Sequence, residues 1–168
     1  IISLSLPAGV GMMFNTLYNV TGTFFAAKIS TLAVAGMAMS FLLYLSVVGI
    51  GLGFGSALTA LIGNSLGANK PKMAKLYAAN GIVFVLLFAL FMGLCGYLLA
   101  PNLLVILGAD HHYINEALDY AGVIFLAAPF FLLIKSLNGI LVALGDTKSY
   151  RNWLFCGLFI NAFFCYLF

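Results

Sequence analysis

Three long stretches of this chain carry no charge at all: residues 1–27, 29–69 and 76–109. A helix that crosses a bilayer needs about 20 mostly apolar residues to span a hydrocarbon core of about 30 Å, and each gap exceeds that length. Inside hydrocarbon every backbone N–H and C=O must find its partner within the protein, so only helices and closed barrels span. Barrel strands would alternate apolar and polar residues, whereas these runs are continuous. The chain is therefore expected to be an all-α membrane protein, a polytopic helical bundle. Its composition agrees, with 64% hydrophobic and 7% charged residues among 168, where soluble domains carry about 25% charged.

Five spans are predicted, at about 2–27, 32–63, 76–99, 114–143 and 151–168, the last running to the end of the chain. The stretch 29–69 could hold two short helices. One long tilted helix is the preferred reading, because no polar turn interrupts it and glycine is tolerated in membrane helices. With no initiator Met, no basic start followed by a small-residue cleavage site, and no terminating signal at Phe168, the chain reads as an excerpt of a longer protein.

Basic residues in short connections set orientation. Lys70, Lys72 and Lys75 fall in one connection and Lys148 and Arg151 in another. Five spans put both on the same side, expected to be cytoplasmic together with the amino end. Lys28 and the connection with Asp110, His111, His112 and Glu116 are then external. The two basic connections share a cadence, Leu66-Gly67-Ala68-Asn69-Lys70 and Leu144-Gly145-Asp146-Thr147-Lys148. In both, a glycine is expected to end the helix with a cation near its carbonyl end.

Residues four apart share a helix face. Gly11, Asn15, Asn19 and Thr23 make such a stripe in the first span, and Gly157, Asn161 and Cys165 another in the fifth. Side-chain amides facing lipid would be unsatisfied. Both stripes are thus expected to face other helices, through hydrogen bonds, or a substrate or ion path. In the second span Gly49 and Gly53, and Gly51 and Gly55, are spaced for close helix packing, against more than one neighbour. Pro7 and Pro129 disfavour straight helices. Lys135 is the one charge well inside a span, and either snorkels to the cytoplasmic end or has a role of its own.

Cys95, Cys156 and Cys165 lack metal-ligand or redox spacing and read as small buried hydrophobes. The His111-His112 pair lacks further ordered ligands, so no metal site is expected. There is no nucleophile–base pattern and no phosphate loop, hence no reason to expect an enzyme. A net charge of +3 in so apolar a chain bears on topology and does not imply nucleic acid.

Four segments resemble the multidrug and toxic compound extrusion (MATE) family of membrane antiporters: "LPAGVGMMFNTLYNVTGTFFAAKISTLAVAGMAMS", "GSALTALIGNSLGANKPKMAKLYAANG", "LNGILVALGDTKSY" and "LFINAFFCYLF". They cover most of the chain in the family's order. The resemblance implies that residues 1–168 are a partial amino-terminal lobe, about five transmembrane helices of a six-helix lobe, in a protein of two such lobes. It also implies a secondary active antiporter exporting amphipathic or cationic small molecules, drugs or toxins, in exchange for protons or sodium by alternating access. It further implies a multi-pass protein of the inner membrane with no cofactor. Its partners would be the bilayer, a small-molecule substrate and the missing second lobe.

On that resemblance Asn15, Tyr18, Asn19, Thr23 and Asn161 line the substrate and ion pathway. The family usually carries an aspartate where Gly22 stands, and often an Asp or Asn where Cys165 stands; neither residue here can take the proton. The coupling acid then lies in the other lobe, or sodium is held by neutral oxygens, or transport has been lost. A lipid-linked saccharide flippase of the same superfamily and a non-transporting subunit are the rival expectations. The flippase would need a cationic cavity, for which Lys135 is the one candidate.

Overall fold

The computed structural model describes residues 13, 16–17, 19–28, 30–110 and 112–167, and among them every regular element is a helix. Helix α1 is described over residues 19–28. It is followed by α2 (Thr31–Gly67), α3 (Pro71–Ile106), α4 (Ile114–Ala143) and α5 (Lys148–Leu167). Among the described residues, α2, α3 and α4 are long and apolar enough to cross a membrane. Pro7 lies outside the described residues.

The long second helix is continuous over 37 residues, as its lack of a polar turn predicts. Ser30 caps it, its hydroxyl oxygen accepting the Ala33 N–H at 2.9 Å. Helix α4 has the predicted bounds. Helix α3 exceeds the predicted 76–99 at both ends. It starts at Pro71, whose fixed φ suits a first helical position. It also runs through Pro101, because the neighbouring Ala100 and Leu104 are buried against the bundle and that packing outweighs one lost backbone bond. Helix α5 begins three residues early because Asp146 caps it. One carboxylate oxygen accepts the Lys148 and Ser149 N–H groups at 3.1 and 3.0 Å, and the other accepts the Ser149 hydroxyl at 2.6 Å.

The shared cadence of the two basic connections is not a shared structure. Gly145 takes a left-handed φ of 81° just past α4, with the Asp146 N–H returning to the Leu141 carbonyl. Gly67 instead stays helical, and Asn69 takes the left-handed turn at φ 55°, the Lys70 N–H returning to Ser65. Both ends use the same wrap-back motif, offset by two residues. Asn is the non-glycine residue best able to fill that position.

The core is a seam between α2 and α4. Lipid gives helices no hydrophobic reason to associate, so contact depends on close packing of small residues. Gly36, Ser40, Gly51 and Gly55 of α2 are buried, as are Ala117, Ala121, Ala128, Ser136 and Gly139 of α4. A Cβ on Gly55 would lie 2.8 Å from the Lys135 carbonyl oxygen, and one on Gly36 2.9 Å from the Ala117 nitrogen. A Cβ on Gly139 would strike the Gly55 carbonyl. Two hydrogen bonds stitch the seam. The Ser40 hydroxyl donates to the Ala117 carbonyl at 2.8 Å, and the Thr59 hydroxyl lies 2.8 Å from both the Gly55 and Gly139 carbonyls, which share its proton.

The expected double use of the α2 glycines is only half met: Cβ atoms on Gly49 and Gly53 would meet no described atom within 4 Å. Helix α3 closes one side of the pair, with Gly93 and Gly96 against Phe125 of α4. Helix α5 touches α4 alone among the described helices, and lightly.

Leu58, Ile62, Ala74, Ile140 and Ala143 share one apolar cluster. Ala74 stands between Lys72 and Lys75 in the first turn of α3 and Ala143 precedes the second basic connection, so both basic segments lie at the same end of the bundle, as the charge pattern predicts. Of the cysteines, Cys95 is half-buried and Cys156 exposed rather than buried; the Cys165 side chain lies outside the described residues. Cys156 sits on α5, whose light packing leaves its sides uncovered.

Gly139→Val should force α2 and α4 apart, costing about 1–3 kcal/mol by overpacking and lowering the melting temperature of the whole protein in detergent. Gly49→Ala should shift it far less. The hydrogen bonds to Asp146 hold its carboxyl below its ordinary value of 3.8, the Ser149 hydroxyl contributing most. A depressed carboxylate stabilises at pH above its unfolded value and loses that contribution as pH falls through the folded one. Amide exchange at Lys148 and Ser149, corrected for intrinsic rates, should therefore stay slow from neutral pH down to about 4 and quicken below it. Asp146→Ala should show fast exchange throughout.

Candidate functional site

Helix α4 turns Gly122, Phe125 and Pro129 toward α3. The opposite side of the α2–α4 pair is open, and there the two helices enclose a cavity of about 550 Å³. Ala33 and Tyr44 line it from α2; Glu116, Asp119, Tyr120, Val123, Ile124, Ala127 and Phe131 line it from α4. Small-molecule sites run from about 300 to 1,000 Å³ with mostly apolar walls and a few polar groups, and this one fits that description.

Its lower wall is aromatic. Tyr44 meets Phe131 edge to face at 5.8 Å and 78°, and Phe41 lies beside Tyr44 at 5.8 Å, its ring tilted by 30°. Its mouth is acidic. Glu116 stands in the first turn of α4, where the helix dipole favours an anion, and Asp119 follows one turn on. No cationic side chain lines the cavity among the described residues. Such a groove suits a flat, apolar, positively charged molecule: aromatic faces attract cations, and the carboxylates add direct attraction at the entrance.

The predicted pathway residues fall elsewhere. Asn15 and Tyr18 lie outside the described residues. Asn161 and Cys165 are on α5 with side chains outside them. Asn19, Gly22 and Thr23 share α1. Thr23 is exposed and donates its hydroxyl to the Asn19 carbonyl at 2.9 Å, as Thr21 does to Leu17 at 2.8 Å. These two hydroxyls are satisfied by their own helix. Gly22 is half-buried, and a Cβ there would meet no described atom within 4 Å.

Sequence reasoning missed the groove. It placed Glu116 in the external connection and gave Asp119 and Tyr120 no part. The signal was present in the spacing 116, 120, 123, 127 and 131, one face of a single helix. His111, the other half of the histidine pair, lies outside the described residues.

The family model MatE matches residues 7–167. Among curated proteins, a FAD transporter of Shewanella oneidensis is 24% identical over 89% of this chain and 33% of its own length. A probable multidrug resistance protein of Bacillus subtilis, YoeA, is 26% identical over 77% of this chain and 28% of its own length. A solved MOP superfamily transporter from Pyrococcus furiosus, described as having a binding pocket of reverse polarity, superposes with a TM-score of 0.91. It is 21% identical, and the match covers 98% of this chain and 36% of the other. The chain thus spans about a third of the length of the proteins it resembles.

The open space at Gly22 should accept a longer side chain. Gly22→Asp in the whole protein should express and run as a single species on size exclusion like the parent. A misfolded variant would mean that the space is filled in the complete protein.

Proposed function

We propose a function from one premise: the chain belongs to the MatE family, whose model spans nearly all of it. This is a family of membrane transporters, not of enzymes. In our reading the chain is part of the amino-terminal lobe of a secondary antiporter. It exports amphipathic, cationic small molecules in exchange for protons or sodium, by alternating access between two orientations in the inner membrane. The basic end of the bundle is cytoplasmic, and the acid-mouthed groove opens on the other side. A second lobe of the same protein completes the pathway.

The observation that carries the cargo assignment is the groove itself, with its aromatic lower wall and two carboxylates at the entrance. The name of the Bacillus relative points the same way. The Shewanella relative's cargo is FAD, whose pyrophosphate the carboxylates of this groove would repel; a lipid-linked saccharide phosphate meets the same objection. Asn15, Tyr18, Asn19, Thr23 and Asn161 line the substrate and ion pathway in this reading, on the family resemblance. Gly22 and Cys165 leave this lobe's ion positions without an acid, so the coupling carboxylate belongs to the other lobe, or sodium is bound by neutral oxygens.

The test is efflux of a fluorescent lipophilic cation from proteoliposomes holding the whole gene product, under an imposed pH gradient, a sodium gradient or neither. Export driven by one gradient is expected. Glu116→Gln with Asp119→Asn should raise KM for the cation about tenfold, equivalent to about 1.4 kcal/mol, and leave an uncharged cargo unaffected. No export under any gradient by correctly inserted protein would overturn the transporter reading. An unchanged KM in the double variant would overturn the groove as its cation site.

A further inference from the structure

The groove is long for its volume. Helices α2 and α4 run side by side in the same direction, Gly36 against Ala117 near one end of the seam and Gly55 against Gly139 near the other. The cavity lining reaches from Ala33 to Tyr44 on α2 and from Glu116 to Phe131 on α4. At about 1.5 Å per residue these stretches are about 17 and about 22 Å of helix. A cavity of about 550 Å³ gathered into a sphere would be only about 10 Å across. The space is therefore a slot about 20 Å long.

The two ends of the slot differ in chemistry. The outer end holds both carboxylates, Glu116 half-buried and Asp119 exposed. They are neighbours on the helix surface, so one cationic head reaches both. The walls between the ends are apolar. Val123, on this stretch, is 67% exposed, which leaves the slot open from the side. The inner end is closed. Tyr44 of α2 and Phe131 of α4, both half-buried, bridge the two helices edge to face at 5.8 Å. Ala127, one turn above Phe131, has too small a side chain to block the approach to those rings.

We infer that the groove selects its cargo by length, with the Tyr44–Phe131 pair as the stop. The preferred cargo is an extended molecule with a cationic head at one end and an aromatic ring at the other. The inference rests on the groove being a cation site and adds which residues set the cargo's span. That span is the slot's length of about 20 Å less about 5 Å for contact between rings, or about 15 Å from charge to ring. A shorter cargo reaches the carboxylates or the rings but not both. A longer one, seated on the rings, carries its charge past the carboxylates.

The test is a series of phenylalkyl-trimethylammonium ions whose charge-to-ring span rises from about 6 to about 25 Å, bracketing the slot. Each displaces a fluorescent lipophilic cation from the whole protein in nanodiscs. The same titration on the Glu116→Gln, Asp119→Asn double variant measures what the lipid alone takes up. Affinity should peak at a span of about 15 Å, about fivefold above ions about 5 Å shorter or longer. Phe131→Ala should move the peak to a longer span. Ala127→Phe, which raises the stop by one turn, should move it to a span about 6 Å shorter. Shifts in opposite directions do not arise from a general loss of fold, and either variant tests the stop if the other fails to fold. Affinity that climbs steadily with length, yet is lost in the double variant, would overturn the stop and leave the groove as a cation site. A peak that neither substitution moves would do the same. Affinity indifferent to the two carboxylates would overturn the cation site, and the length rule with it.

Discussion

Gly139 of α4 lies against the Gly55 carbonyl of α2, too near for a Cβ on Gly139, and a Cβ on Gly55 would in turn meet the Lys135 carbonyl of α4 at 2.8 Å. Everything else in the described bundle is arranged around that approach. In lipid, two helices gain little by hiding apolar surface from each other. Here the gain comes from backbone contact, and small residues along both helices extend it from Gly36 and Ala117 to Gly55 and Gly139. The Ser40 and Thr59 hydroxyls then reach across to carbonyls that the close approach has brought into range.

A seam that tight has a consequence on its flank. Two cylinders pressed together leave a groove on each side. Helix α3 fills one with Phe125 as the wedge between Gly93 and Gly96. The other remains as the aromatic, acid-mouthed cavity. The groove is therefore a product of the packing rather than an addition to it, and its chemistry comes from residues that packing leaves free: the face of α4 from Glu116 to Phe131. The same helix carries Lys135 near its far end, bonded to the Tyr150 hydroxyl.

The fold was legible to the extent that hydrophobic run length determines it. Uncharged gaps located the long helices, and the basic turns were correctly placed at one end. Boundaries failed where local chemistry overrode the usual signals. The third span was expected to end at 99, yet tertiary burial of Ala100 and Leu104 carries α3 on through Pro101. Gly67 reads as a helix end, yet Asn69 takes the left-handed position. The seam was half visible, because the α2 glycines stand out while their partner Gly139 is a single glycine in an apolar run. The groove was hidden because it needs two helices. Glu116 was read as a connection charge and Asp119 given no part until α4 is seen to bring both to the cavity that Phe131 also lines. The pathway residues from Asn15 to Asn161 were named from family likeness, a signal that needs no contact between helices.

The central claim is that the α2–α4 groove receives a lipophilic cation. Photolabelling tests it most directly: the whole protein, reconstituted in liposomes, is irradiated with a photoreactive aromatic cation and its adducts are mapped by peptide mass spectrometry. Adducts should fall on Tyr44, Tyr120 and Phe131 and be lost when an excess of unlabelled cation competes. Competable adducts confined to the Gly49 and Gly53 face of α2, or none anywhere in these 168 residues, would contradict it.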